Sequence, residues 1–167
     1  RTDAKGSTTA FVYNKGGQLV KTVDALGNAV RQGYCADVGC PSCGGGGGSG
    51  VCSATDALGN TTVTRFDALG RAYETISPTG SVTATQFDTL GRQSKAIDSL
   101  GNETLYTYDT LGRLWKVTDA LGGVTEYGFD VRGNRTSVTD ASGNVTTFEY
   151  DLNNRLGCYG DPVVKTP

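Results

Sequence analysis

Cys35, Cys40, Cys43 and Cys52 are the residues of this chain best suited to chemistry, spaced Cys-x4-Cys-x2-Cys-x8-Cys. The stretch also holds five consecutive glycines, Gly44 to Gly48, which cannot form a stable strand or helix interior. It is therefore read as a protruding loop. Disulfides are the first reading, since a glycine-rich loop outside the cytoplasm is tied down by one or two bridges. Four cysteines allow three connectivities, and sequence does not choose among them. A thiolate site for Zn²⁺ or an iron–sulfur cluster is the second reading, and free thiols the third. Cys158 stands apart and could pair with a loop cysteine, join two copies, or stay reduced. The chain has no histidine, so no Ser–His or Cys–His pair exists and a c-type haem is excluded. No glycine-rich loop opens a helix to cradle a phosphate. No catalytic constellation is found, and the expectation is a non-enzyme without a cofactor.

The loop interrupts a regular beat. Phe66-Asp67-Ala68-Leu69-Gly70-Arg71 recurs as Phe87-Asp88-Thr89-Leu90-Gly91-Arg92 and as Tyr108-Asp109-Thr110-Leu111-Gly112-Arg113. Looser copies are Phe129-Asp130 with Gly133, and Tyr150-Asp151, where Asn154 replaces glycine. Each copy starts 21 residues after the last. A second motif keeps the same period: Asp56-Ala57-Leu58-Gly59-Asn60, Asp98-Ser99-Leu100-Gly101-Asn102, Asp119-Ala120-Leu121-Gly122 and Asp140-Ala141-Ser142-Gly143-Asn144, with Ser77-Pro78-Thr79-Gly80 filling the gap. The beat already runs at Asp24 to Asn28, and Tyr13 and Tyr34 are degenerate aromatic positions 21 apart. Tyr34 to Phe66 is 32 residues, 11 more than the period, and the excess falls in the cysteine loop. A fixed period of this length marks a repeat architecture, with insertions placed in loops.

Asp at the first position and Gly at the fourth suit a type I turn followed by a left-handed residue, which closes a β-hairpin with a bulge. Each repeat then holds two turns and two strands, roughly Asn102 to Tyr108 and Arg113 to Thr118 in one unit. Thr62, Thr83, Thr104, Thr125 and Thr146 share one repeat position. Two residues on come Thr64, Thr85, Tyr106, Tyr127 and Phe148, and two further the motif aromatics. Spacing of two places all three sets on one sheet face. Arg65, Gln86 and Glu149, between them, suit a wetter face. Seven repeats give fourteen strands. At roughly 20–25° of twist per strand the strip turns through on the order of 300° and cannot stay flat.

The aromatic-Asp-x-x-Gly-Arg motif at this period, followed by a second glycine turn, resembles the RHS (YD) repeat family over nearly the whole chain. The resemblance implies an all-β fold: an antiparallel β-hairpin strip coiling into a twisted, hollow or solenoid-like sheet. It also implies relatives among toxin cocoons, polymorphic-toxin carriers and cell-surface adhesins, and a link to carbohydrate binding. The self-cleaving Asp pair of the family's C-terminal core is not recognisable in these residues. The opening Cys-x4-Cys-x2-Cys resembles plant-type ferredoxin spacing, but the fourth cysteine is too near. The expected organisation is first repeats over 1–34, the Cys/Gly loop over 35–52, regular repeats over 53–157, and a frayed tail or continuation over 158–167.

Charge is near balance, 15 Lys plus Arg against 17 Asp plus Glu, with no basic patch for nucleic acid. No apolar run is long enough for a membrane span. The chain has no methionine and is read as a piece of something longer, with an uncapped first strand that continues or pairs with another copy. Trp115 is read as a sheet-face residue ahead of a sugar-stacking platform. The repeat aspartates are read as turn caps ahead of Ca²⁺ ligands. Asn60, Asn102, Asn134 and Asn144 begin accidental glycosylation sequons. The expected function is a structural β-scaffold, extracellular or at the cell surface, forming part of a shell around a toxin or other cargo. The alternatives are a filament or adhesin subunit, and a metal or redox module at the cysteine loop. Expected partners are further repeats, further copies, a toxin cargo or a surface glycan. With few large aliphatics to bury, the isolated piece is expected to be marginally stable or to self-associate.

Overall fold

The computed structural model describes residues 2, 8–35 and 51–163, with side chains through residue 157. Fourteen strands and no helix are found among them. They are β1 (Ala10–Tyr13), β2 (Leu19–Val23), β3 (Ala29–Tyr34), β4 (Val51–Thr55), β5 (Thr61–Phe66), β6 (Ala72–Ile76) and β7 (Val82–Phe87). There follow β8 (Gln93–Ile97), β9 (Glu103–Tyr108), β10 (Leu114–Thr118), β11 (Val124–Phe129), β12 (Arg135–Thr139), β13 (Val145–Tyr150) and β14 (Leu156–Val163). The chain divides into two compact units between Thr85 and Gln86. In the first, β1 to β7 pair antiparallel in chain order. In the second, β8 to β14 do the same.

The strands begin one residue later than the sequence suggests. Asn102 and Arg113 lie outside β9 and β10 because each closes a turn: the Asp98 N–H donates to the Asn102 carbonyl at 3.0 Å and the Asp109 N–H to the Arg113 carbonyl at 2.9 Å. Within each turn the glycine N–H returns to the aspartate carbonyl, as from Gly112 to Asp109 at 3.0 Å. The glycine must be left-handed to do so, and Gly112 has φ 82°. Asn154 takes the same role at φ 60°, which asparagine tolerates better than other side chains.

A second irregularity recurs beside the aromatic-Asp turns. Tyr108 faces Leu114, yet Thr107 faces Lys116, leaving Trp115 as an extra residue. The same bulge falls at Val20, Cys52, Tyr73, Thr136 and Gly157. Trp115 is thus a bulge residue, half-buried, with the Lys116 ammonium 5.8 Å from its ring centre. A bulge adds twist and bends its strand.

Burial alternates along β9, where Thr104, Tyr106 and Tyr108 are half-buried and Glu103, Leu105 and Thr107 exposed. Val117 and Thr125 continue the aromatic face next to Tyr106. Ion pairs Arg65–Glu74 and Lys95–Glu103 lie at other positions of the ladder. Among the described residues only Cys35 and Cys52 are buried apolar side chains. The motif leucines contribute nothing to a core: Leu121 is 98% and Leu111 73% exposed, at turn tips. Among the described residues no helix is long and apolar enough to cross a membrane.

Candidate functional site

Each aromatic-Asp turn is built around its carboxylate. One Asp109 oxygen accepts from the backbone N–H groups of Leu111 and Arg113, both at 2.9 Å. The other takes the Arg113 guanidinium at 2.7 Å. Asp67–Arg71, Asp88–Arg92 and Asp151–Arg155 repeat the arrangement. At Asp130 the arginine is replaced by Asn134, whose side-chain amide donates at 2.9 Å. Four turns on the opposite edge use asparagine, Asp24–Asn28, Asp56–Asn60, Asp98–Asn102 and Asp140–Asn144, while Ser77–Ser81 and Asp119–Gly123 close without it. Asn60, Asn102, Asn134 and Asn144 therefore each spend a side-chain donor on closing a turn.

These bonds favour the ionised carboxylate. In Asp24, Asp56, Asp98, Asp130 and Asp140 the asparagine side-chain amide is the leading cause of a pKa below the usual carboxylate value. In Asp67, Asp109 and Asp151 the backbone N–H of the closing arginine leads. At Asp88 burial opposes ionisation, but the Arg92 backbone and side chain outweigh it. The carboxylates thus accept hydrogen bonds within their own turns.

The arginines also reach the next repeat. Arg92 lies over the Tyr108 ring at 4.4 Å and Arg113 over the Phe129 ring at 4.6 Å. Arg113 donates to the Asp130 carbonyl at 3.1 Å. Arg132 donates to the Leu152 carbonyl at 3.0 Å, and Asn134 to the Asn154 side chain at 3.1 Å. Tyr108 returns a hydrogen bond from its hydroxyl to the Gln93 carbonyl at 2.8 Å, and Tyr34 to the Leu19 carbonyl at 3.1 Å. Aspartate, arginine and the next aromatic form a ladder that couples neighbouring repeats. Sequence reading identified the members but not the link. The signal was available in the constant 16 residues from Arg92 to Tyr108 and from Arg113 to Phe129.

The cysteine segment replaces one rung. Tyr34 pairs with Val51 in the register that joins Phe66 to Ala72. In chain order, the interval between these partners is residues 35–50 here and 67–71 in a regular repeat. Cys35 occupies the aspartate position and Cys52 the bulge position, and a disulfide joins them across 5.2 Å between Cα atoms. The bridge closes the hairpin covalently where four other repeats use Asp–Arg. A sulfur in a disulfide is not a thiolate, so this bridge and a four-thiolate metal site exclude each other. Cys40 and Cys43, and the side chain of Cys158, lie outside the described residues. Among the described residues no cluster of three or more metal-ligating side chains forms.

The RHS-repeat family model matches at residues 87–124, 108–145 and 129–157. The matched stretch, residues 87–157, resembles RHS repeats and is under half of the chain. No curated protein sequence matches the chain. Among solved structures, the chain is similar to the TcdB2-TccC3-Cdc42 crystal structure, with TM-score 0.70, 19% identity and coverage of 98% of this chain and 9% of that one. TcdB2-TccC3-TEV gives TM-score 0.68, 19% identity and coverage of 97% and 9%. The Photorhabdus luminescens Tc holotoxin pore gives TM-score 0.66, 18% identity and coverage of 98% and 9%. At this identity the likeness shows the fold: an all-β array of antiparallel hairpins. The chain spans about a tenth of the length of those proteins.

Proposed function

We propose that this chain is a wall segment of a larger RHS-repeat shell that holds a polypeptide cargo, a toxin foremost, outside the cytoplasm. The carrying observation is the ladder. It spends the repeat aspartates on closing turns, and the arginines that pair with them on those turns and on the next repeat, as a wall requires and a catalytic site would not. The fold likeness to Tc toxin structures over nearly the whole chain supports the shell over the filament or adhesin. Strand twist with a bulge in successive repeats favours a strip that coils. The Cys35–Cys52 bridge supports an oxidising location. A scaffold of this kind needs no cofactor and no catalytic residue.

The test is protease protection in the parent protein purified from its source without reductant. An enclosed segment survives digestion in the intact protein and is cleaved once the shell is opened by denaturant. Equal cleavage of every segment before and after opening would overturn the shell reading.

A further inference from the structure

One repeat departs from the pattern on its aromatic face. Opposite the motif aromatic stand Leu19, Val51, Ala72, Leu114 and Leu156, and the sequence has the neutral Gln93 at this repeat position, but Arg135 stands opposite Phe129. The turn there is closed by Asn134, so Arg135 is not needed for it. Among the described residues the Arg135 guanidinium has neither an ion pair nor a hydrogen-bond partner. It lies 5.3 Å from the Phe148 ring centre and 5.8 Å from that of Tyr127, and the residue is exposed. Around it is an open concavity of about 510 Å³ lined by Arg113, Leu114, Tyr127, Phe129, Arg135 and Tyr150. Among the described residues no acidic side chain lines it.

We propose that this concavity binds the carboxylate side chains of an acidic polypeptide segment, with Arg135 as the principal donor. The guanidinium fork matches a carboxylate, and aromatic contact holds it in place without consuming its N–H donors. The ring faces argue against a sugar platform. Arg113 covers Phe129, and Arg135 lies against Tyr127 and Phe148, so these rings are already stacked. What remains unspent is a planar set of donors in a concavity that Tyr127 and Tyr150 also line. The inference rests on the scaffold reading for the source of the ligand, a cargo or neighbouring chain, but not for the chemistry of the site.

The full chain is titrated with an acetylated, amidated glutamate pentapeptide while the Arg135 side-chain N–H and the Tyr127 ring are followed by NMR. A glutamine pentapeptide and glucuronate serve as comparisons. The expected result is saturable binding of the glutamate peptide at low millimolar concentration. It weakens about tenfold in Arg135→Leu and in Arg135→Gln and stays unchanged in Arg155→Gln. Leucine already occupies this repeat position at Leu114 and Leu156, and an unchanged thermal melt verifies each variant's fold. Equal binding of the glutamine peptide, preferential binding of glucuronate, equal loss in Arg155→Gln, or no binding would each overturn the proposal. Those outcomes concern the site alone, whereas unprotected cargo in the parent protein would remove the shell reading and leave a measured peptide affinity standing.

Discussion

Reducing the Cys35–Cys52 bridge removes a crosslink across a sequence separation of 17, which in the chain-entropy model destabilises the fold by about 3 kcal/mol at 25 °C. The loss should be local. In a repeat array each unit is held mainly by its neighbours, so the cost falls on β3, β4 and the strands beside them. Hydrogen exchange on oxidised and reduced wild-type protein separates this from packing, because reduction leaves both side chains in place. Amides of β3–β5 are predicted to lose about 3 kcal/mol of protection, roughly a hundredfold faster exchange. Amides of β10–β13 should change by less than about 0.5 kcal/mol. A Cys35→Ala, Cys52→Ala variant should lose somewhat more than reduction, since Cys52 is 1% exposed and its replacement leaves a gap. Equal exchange before and after reduction would refute the argument that the bridge closes this hairpin. A uniform loss over both units would refute nearest-neighbour coupling.

Acid should unfold the array through its turns. Nine aspartates have folded pKa values below the unfolded value of 3.8, so their contribution is present above that pH and is lost as pH falls through the folded values. Thermal melts should accordingly be flat from neutral pH to about 4 and fall steeply below it; a decline centred between pH 5 and 7 would contradict this. Arg113→Gln removes the contact with Phe129, about 1 kcal/mol, measurable by urea denaturation. Arg155→Gln, at a side chain 76% exposed, should cost less, and the reverse order would count against the ladder. Gly112→Ala places a Cβ at φ 82° and should destabilise by about 1–2 kcal/mol, whereas Asn154→Gly should be neutral or stabilising.

Much of this fold was legible because its information is local. An aspartate and a glycine three residues apart specify the turn without help from distant residues, and the period then sets strand number and face. Even the degenerate Asn154 could be read as left-handed from its chemistry. The bulges were not legible. Whether Trp115 or Lys116 opposes Thr107 is a property of the pairing, and no residue type marks it. The ladder was missed for a related reason: Arg113 reads as the partner of Asp109, while its contact with Phe129 exists only once the strip is folded. The motif leucines follow from the turn, whose tip they occupy. Arg135 could have been noticed as a cation where the repeat places leucine, but only register shows it among aromatic rings. The pairing of Cys35 with Cys52 depends on β3 meeting β4, which the spacing of four cysteines does not reveal.

Cryo-electron microscopy of the intact parent protein tests the central claim most directly. The account predicts a closed particle whose wall contains this strip, with density for a cargo inside. Open filaments built from the same repeats, or a closed particle in which this segment lies outside the wall, would contradict it.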